Sequence, residues 1–311
     1  MKNIAFMFAG QGSQYNGMGK DLYDNFNCVK DIFLQAEKVT NYPVREIMFN
    51  NDKRINETKY TQVCMFTLYQ AILTLLKENN IKANYSLGLS LGEYGAYLHN
   101  QIFDFSTGLD IIKHRAKFMT QATNNNPGKM SALIGIKAEK LESLIKKIKG
   151  YVTIANYNSY NQLVISGEEN AVIELNKLAL ANGAKRVIML NTSGAFHSKL
   201  MNTASFSFKN YLKKLNLQNP KNKLYVNTSG DLFQENIKNV MVKQLTHSVK
   251  FYQTIEKLIE NGVNTFIEIG PKKTLSSFVK RINQKVNVLN IEDLTSFNKT
   301  ISKLEENNGI I

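Results

Sequence analysis

The chain has 311 residues, enough to bury a substantial core in one large domain carrying an insertion, or in two domains. Its 39 Lys and Arg against 25 Asp and Glu give a formal net charge of +14. The basic residues are spread along the chain rather than blocked, and no nucleic-acid-reading module accompanies them, so the charge points to an acidic macromolecular partner or a polyanionic substrate.

No apolar stretch approaches the roughly 20 residues that a membrane crossing needs. Cys28 and Cys64 lie far apart and form no C-x-x-C pair, which argues against a disulfide framework or a zinc site. The expected setting is a reducing cytoplasm, with no metal, no cofactor and a monomeric chain.

In chain order, Met1 to Gly10 reads as a first strand, because its apolar stretch is too short for a signal peptide and runs into Gly10-Gln11-Gly12. Helical periodicity covers about Tyr60 to Glu78. A short apolar lead-in, Tyr85 to Leu87, precedes Gly88-Leu89-Ser90-Leu91-Gly92, and helices follow at Leu91 to Leu98 and Ser106 to Thr123. From about Lys129 the pattern changes: strand Met130 to Ile136, helix Ala138 to Ile148, strands Tyr151 to Ala155 and Gln162 to Ser166, helix Glu169 to Ala181, strand Lys185 to Leu190. That order, β-α-β-β-α-β, is the split unit of a ferredoxin-like domain. Strands at Leu224 to Asn227 and Thr265 to Ile269, separated by helices, return to a mostly parallel sheet covered on both faces. The expected architecture is α/β: a large α/β-hydrolase-like domain, residues 1–127 and 192–311, interrupted by a small ferredoxin-like α+β domain, residues 128–191.

The G-x-S-x-G pattern at Gly88 to Gly92 is a nucleophile elbow, a sharp strand-to-helix turn in which side chains at the two glycines would collide with the strained serine. It presents Ser90 at a helix N-terminus, where the backbone N–H of Leu91 can face an oxyanion. A serine needs a base, and histidine is the usual one. Of the four histidines, His99 closes the helix after the elbow, His114 sits in a lysine-rich helix and His247 at a helix end. His197, after Ser193-Gly194-Ala195-Phe196, lies where the chain re-enters the large domain and is the expected base. In the hydrolase order the acid falls between serine and histidine, and none of the acids there is placed to orient His197. A Ser-His dyad is therefore expected, its imidazole held by a backbone carbonyl. Arg115 reads either as a surface charge or, if buried near Ser90, as a bidentate clamp for a substrate carboxylate.

Gly10-Gln11-Gly12-Ser13-Gln14, Gly88 to Tyr94, Arg115, Gly194-Ala195-Phe196-His197-Ser198 and Glu268-Ile269-Gly270-Pro271 together resemble the malonyl-CoA:acyl carrier protein transacylase family, over about Phe6 to Ile282. The resemblance implies ping-pong acyl transfer in fatty acid synthesis. Ser90 would attack malonyl-CoA, His197 would shuttle the proton, and the N–H groups of Leu91 and Gln11 would hold the oxyanion. Arg115 would clamp the malonyl carboxylate, Phe196 would fill the space of a branching methyl, and a carbonyl near Lys250 would orient His197. The acceptor would be an acidic, phosphopantetheinylated acyl carrier protein. Leu89, where many members have His, Tyr160-Asn161 in place of a Pro-Gly turn, and His99-Asn100 depart from the family pattern. Asn156 and Asn158 match family asparagines that either line the cleft or support a turn. The competing readings are a free-standing acyltransferase for a polyketide synthase, a hydrolase of carrier-bound acyl groups, and a binding-only relative.

Overall fold

The computed structural model describes residues 3–308. In chain order the elements are β1 (Ile4–Phe8), α1 (Lys20–Asn25), α2 (Asn27–Thr40), α3 (Val44–Phe49), α4 (Thr58–Glu78), β2 (Tyr85–Gly88), α5 (Gly92–His99), α6 (Phe105–Asn125), β3 (Lys129–Ile134), α7 (Ala138–Ile145), β4 (Val152–Ser159) and β5 (Gln162–Gly167). They continue with α8 (Glu169–Ala181), β6 (Arg186–Met189), α9 (Asn202–Leu212), β7 (Lys223–Val226), β8 (Asp231–Leu232), α10 (Ile237–Gln244), α11 (Phe251–Glu260), β9 (Thr265–Ile269), α12 (Thr274–Ile282), β10 (Asn287–Ile291) and α13 (Leu294–Asn308). Among the described residues no helix is long and apolar enough to cross a membrane.

Two compact units emerge. The first takes the described residues up to Lys113, Gln218–Tyr225 and those from Leu258 onward; the second takes His114–Leu217 and Val226–Lys257. In the first unit the strands run β10-β9-β1-β2-β7, every pair parallel. Strand β1 is Ile-Ala-Phe-Met-Phe, with Ala5 to Phe8 fully inside, and β9 is buried at all five positions. Continuous apolar runs of this kind suit a sheet covered on both faces. Helix α4 buries fourteen side chains, which is why its apolar pattern runs almost all round. From β1 the chain moves to β2 on one side, while β9 leads to β10 on the other, so the C-terminal ends of β1 and β2 lie at a reversal of strand order. Open α/β sheets place their sites at such points.

The second unit is built on an antiparallel sheet, β4-β5-β3-β6, paired β3 to β5, β3 to β6 and β4 to β5. Leu133, Ile154, Leu163 and Ile165 from the sheet pack with Leu141 and Leu144 of α7 and Val172, Leu175 and Ala179 of α8. The β-α-β-β-α-β order read from the sequence is the order observed. The second unit is nevertheless wider than residues 128–191. Val249 donates its N–H to Ala155 O and accepts from Tyr157 N, each at 2.8 Å, so the 248–250 segment extends the sheet beyond β4 and brings α10 and half of α11 with it.

Candidate active site

Ser90 sits in the left-handed region with φ of 54°, between the end of β2 and the start of α5. A non-glycine residue there costs on the order of 1 kcal/mol or more and persists only where the surroundings fix it. Four backbone hydrogen bonds do so: Leu89 N to Phe8 O, Gly92 N to Leu89 O, Glu93 N to Ser90 O and Tyr94 N to Leu91 O, all 2.9–3.1 Å. The steric reason for the glycines is explicit. A Cβ on Gly88 would stand 2.0 Å from the backbone carbon of Gly92, and one on Gly92 would stand 2.0 Å from Phe8 O. Helix α5 is thereby pressed onto the end of β1, with Leu91 buried in right-handed geometry just before its first residue. The first N–H groups of a helix lack intrahelical acceptors and face outward along its dipole.

The loop after β1 lies against this turn, since a Cβ on Gly10 would approach Leu89 O to 2.8 Å. Its next residue, Gln11, is fixed at both ends of its carboxamide: Nε2 donates to Thr58 Oγ1 at 3.0 Å, and Oε1 accepts from Gln62 Nε2 at 3.3 Å. Thus three predicted residues, Gln11, Ser90 and Leu91, belong to one wall of the first unit. Glu268, from the Glu-Ile-Gly-Pro motif, has a structural task nearby: its carboxylate accepts Leu275 N at 2.9 Å and Ser276 N at 2.7 Å, capping α12. Burial pushes it up to about 7 despite those donors. Gly270 takes φ of 119°, and its Cβ would press on Ala9 and Tyr69.

The second unit gathers Arg115, His197 and Gln244. Arg115, on α6, is 1% exposed and donates from Nη2 to Gln244 Oε1 at 3.1 Å. His197, φ of 56° and 3% exposed, has Nδ1 at 2.9 Å from Gln244 O. A ring nitrogen facing a carbonyl is the protonated one, so Nε2 carries the lone pair. Desolvation, and after it the positive charge of Arg115, push His197 down to about 4; the ring is neutral at pH 7 and ready to accept a proton. The loop that carries it is locked by Ser198 Oγ donating to Ala195 O at 2.6 Å and by Gly194, whose Cβ would collide with Thr123 Oγ1 of α6. Phe196, beside the histidine, is buried.

The backbone carbonyl that orients His197 therefore belongs to Gln244, and the expectation of Lys250 is corrected. Lys250 O is occupied by Thr254, whose N and Oγ1 donate to it at 3.1 and 2.8 Å as α11 begins. Gln244 instead closes α10, and the last carbonyls of a helix have no partner within it. The sequence carried a signal for this residue. Ile237, Val240, Met241 and Gln244 form the buried i, i+3, i+4, i+7 face of α10, and a polar side chain on an apolar stripe requires a buried partner.

The other histidines serve structure. His99 Nε2 meets Ala83 O at 3.1 Å, with the ring edge-on to Phe6, and burial lowers its pKa. His114 stacks on Tyr211 at 4.0 Å between ring centroids. His247 is bonded through Nδ1 to Lys243 O at the end of α10. Asn156 and Asn158 are buried on β4, where Asn156 bridges to Val249; Tyr160, in the departure from the Pro-Gly turn, donates to Glu256 at 2.6 Å. Among the described residues no group of three or more His, Cys, Asp or Glu is arranged to hold a metal, and Cys28 and Cys64 are free thiols.

The family described as acyl transferase domain matches residues 5–307. The chain is 36% identical to the malonyl CoA-acyl carrier protein transacylase of Bacillus subtilis, covering 99% of both. The solved malonyl CoA-acyl carrier protein transacylase of Clostridium perfringens is 39% identical and superposes with a TM-score of 0.95 over 99% of this chain and 98% of that one. A malonyl-transacylase solved in complex with its type II PKS acyl-carrier protein is 29% identical, with a TM-score of 0.94 over 97% of this chain and 100% of that one. The chain is an acyltransferase, a member of the malonyl-CoA:acyl carrier protein transacylase family.

Proposed function

We propose that the chain transfers the malonyl group of malonyl-CoA to the phosphopantetheine thiol of acyl carrier protein, for fatty acid biosynthesis, through a malonyl-Ser90 intermediate. The observation that carries this reading is the buried pairing of a guanidinium with a neutral imidazole around Gln244, in a chain whose other unit presents a strained serine. Ser90 Oγ bonds to the thioester carbon while its proton passes to His197 Nε2. The oxyanion is held by the N–H groups of Leu91 and Gln11. As the tetrahedral intermediate collapses, the C–S bond breaks and the CoA sulfur takes the proton from His197. The carrier thiol then gives its proton to His197, attacks the ester carbon and releases Ser90 with that proton restored.

Arg115 would bind the malonyl carboxylate with its two-pronged fork. The bound carboxylate would also offset the charge that depresses His197, so an acid substrate strengthens the base that acts on it. Phe196 would occupy the room that a methyl branch needs. We read the first unit as an α/β-hydrolase-like domain and the β-α-β-β-α-β core of the second, residues 128–191, as a ferredoxin-like insertion. The +14 charge suits a carrier protein of acidic composition.

Intact-protein mass spectrometry after incubation with malonyl-CoA, followed by addition of carrier protein, tests the proposal. A malonyl adduct that requires Ser90 and moves to the carrier is expected. An adduct lost to water, or none from any thioester, overturns it. Carrier proteins of fatty acid and polyketide systems, tested side by side, separate the two pathways.

A further inference from the structure

Gln244 serves two neighbours with two different oxygens. Its backbone O accepts from His197 Nδ1 at 2.9 Å and its side-chain Oε1 accepts from Arg115 Nη2 at 3.1 Å. The residue is fully buried. Any amino acid could supply the backbone carbonyl, so the histidine alone does not explain why a long carboxamide is buried here at a cost in rotamer entropy. The explanation lies with the arginine. A guanidinium is a rigid planar fork, and an acceptor fixed at one Nη sets the direction in which its remaining donors point. A carboxamide does this as a neutral group, adding no negative charge that would compete with a ligand's carboxylate; a carboxylate in the same place would satisfy the guanidinium internally.

We propose that the Gln244 side chain is a specificity-determining positioning residue: it aims Arg115 at the substrate carboxylate, while the same residue's carbonyl fixes His197, so acid recognition and base orientation share one frame. The proposal rests on the reading of Arg115 as the carboxylate clamp. It assigns to a single helix end the discrimination between thioesters that carry a free acid and those that do not.

The experiment compares Gln244→Met, which keeps length and backbone carbonyl but removes the acceptor, Gln244→Glu, which keeps shape and adds charge, and Arg115→Ala. For each, kcat and KM are measured with malonyl-CoA and acetyl-CoA across pH. In Gln244→Met the ratio of malonyl to acetyl kcat/KM is expected to fall about tenfold, mainly through the malonyl KM, the loss expected for one hydrogen bond to a charged group. In Gln244→Glu the ratio falls at least as far, and the acid limb moves to higher pH for both substrates because a carboxylate offsets the push of Arg115 on His197. A role in folding alone would lower kcat for both thioesters together and leave the limb in place, which overturns the proposal. If Arg115→Ala lowers the ratio but both Gln244 variants keep it, the positioning role fails and the clamp stands. If Arg115→Ala keeps it too, the clamp reading fails and this inference with it.

Discussion

The wall that carries Ser90 and the cluster that carries His197 are built by opposite strategies. Ser90 is held by a five-residue motif set against the end of β1, with two glycines at which an added Cβ would stand 2.0 Å from backbone atoms. The His197 cluster has no such local code. Gln244 is 47 residues from His197 and 129 from Arg115, and the three meet because α6, the 194–198 loop and the end of α10 converge in one unit. A strained turn can be written into a short motif because the glycines it needs lie within five residues: Gly88 makes room for Gly92, and Gly92 makes room for the end of β1. A buried polar network requires the whole unit to close around it.

The two constructions should break differently. Ser90→Ala has the largest expected effect: transfer falls by about 10⁴-fold or more, equivalent to about 5.5 kcal/mol in barrier, with folding intact, checked by single-turnover transfer and urea unfolding. Gly92→Ala should unfold the same wall rather than merely silence it, with a loss of about 3 kcal/mol or more, because the displaced atom is the backbone of β1. Gly183→Ala is the contrast. Its φ is positive, 102°, but nothing lies within 4 Å of where a Cβ would stand, so the same measurement should show only about 1 kcal/mol. Glu268→Ala, which orphans two helix N–H groups, should cost about 1–3 kcal/mol by the same method.

The last contrast lies in pH dependence, where the two units should differ in sign. Folded His197 titrates at about 4 against 6.5 unfolded, so between those values the unfolded chain binds the proton first. The contribution of His197 is complete above about pH 6.5 and is lost as pH falls toward 4. Glu268 runs the other way: its folded value of about 7 lies above the ordinary 4.5, so stability present below pH 4.5 declines as pH rises through 7. Unfolding of His197→Gln and Glu268→Gln across pH 4–8 should flatten these opposing slopes one at a time. An unchanged slope in either variant would refute the corresponding assignment. In the transfer assay, Arg115→Ala should move the acid limb of His197 to higher pH, since the second cause of its depression is removed.

Several elements of both units, and the elbow, were legible. β9 at Thr265–Ile269 and α8 at Glu169–Ala181 fall on the spans read from periodicity, and the elbow lies where its glycines place it. Short helices α1 and α3 and the half-buried edge strand β10 were not named, because six residues, or a pattern of partly exposed positions, carry little periodic signal. The small sheet was legible element by element. Its extension by Val249 was not, because that segment pairs with β4 across nearly a hundred residues of intervening chain.

What the sequence determined by itself is therefore the strained serine and the requirement for its glycines; it also pointed to His197 among four histidines and offered no suitable acid between them. Those are statements about residue type and local sterics. Only the tertiary structure decided which carbonyl holds the imidazole. It set Gln244 in place of Lys250, buried Arg115 on the same carboxamide, and left His197 neutral at pH 7. Partner choice among buried polar groups depends on distances that no local pattern encodes, and the depressed basicity of the histidine arises from desolvation and a neighbouring charge that exist only once the chain has folded.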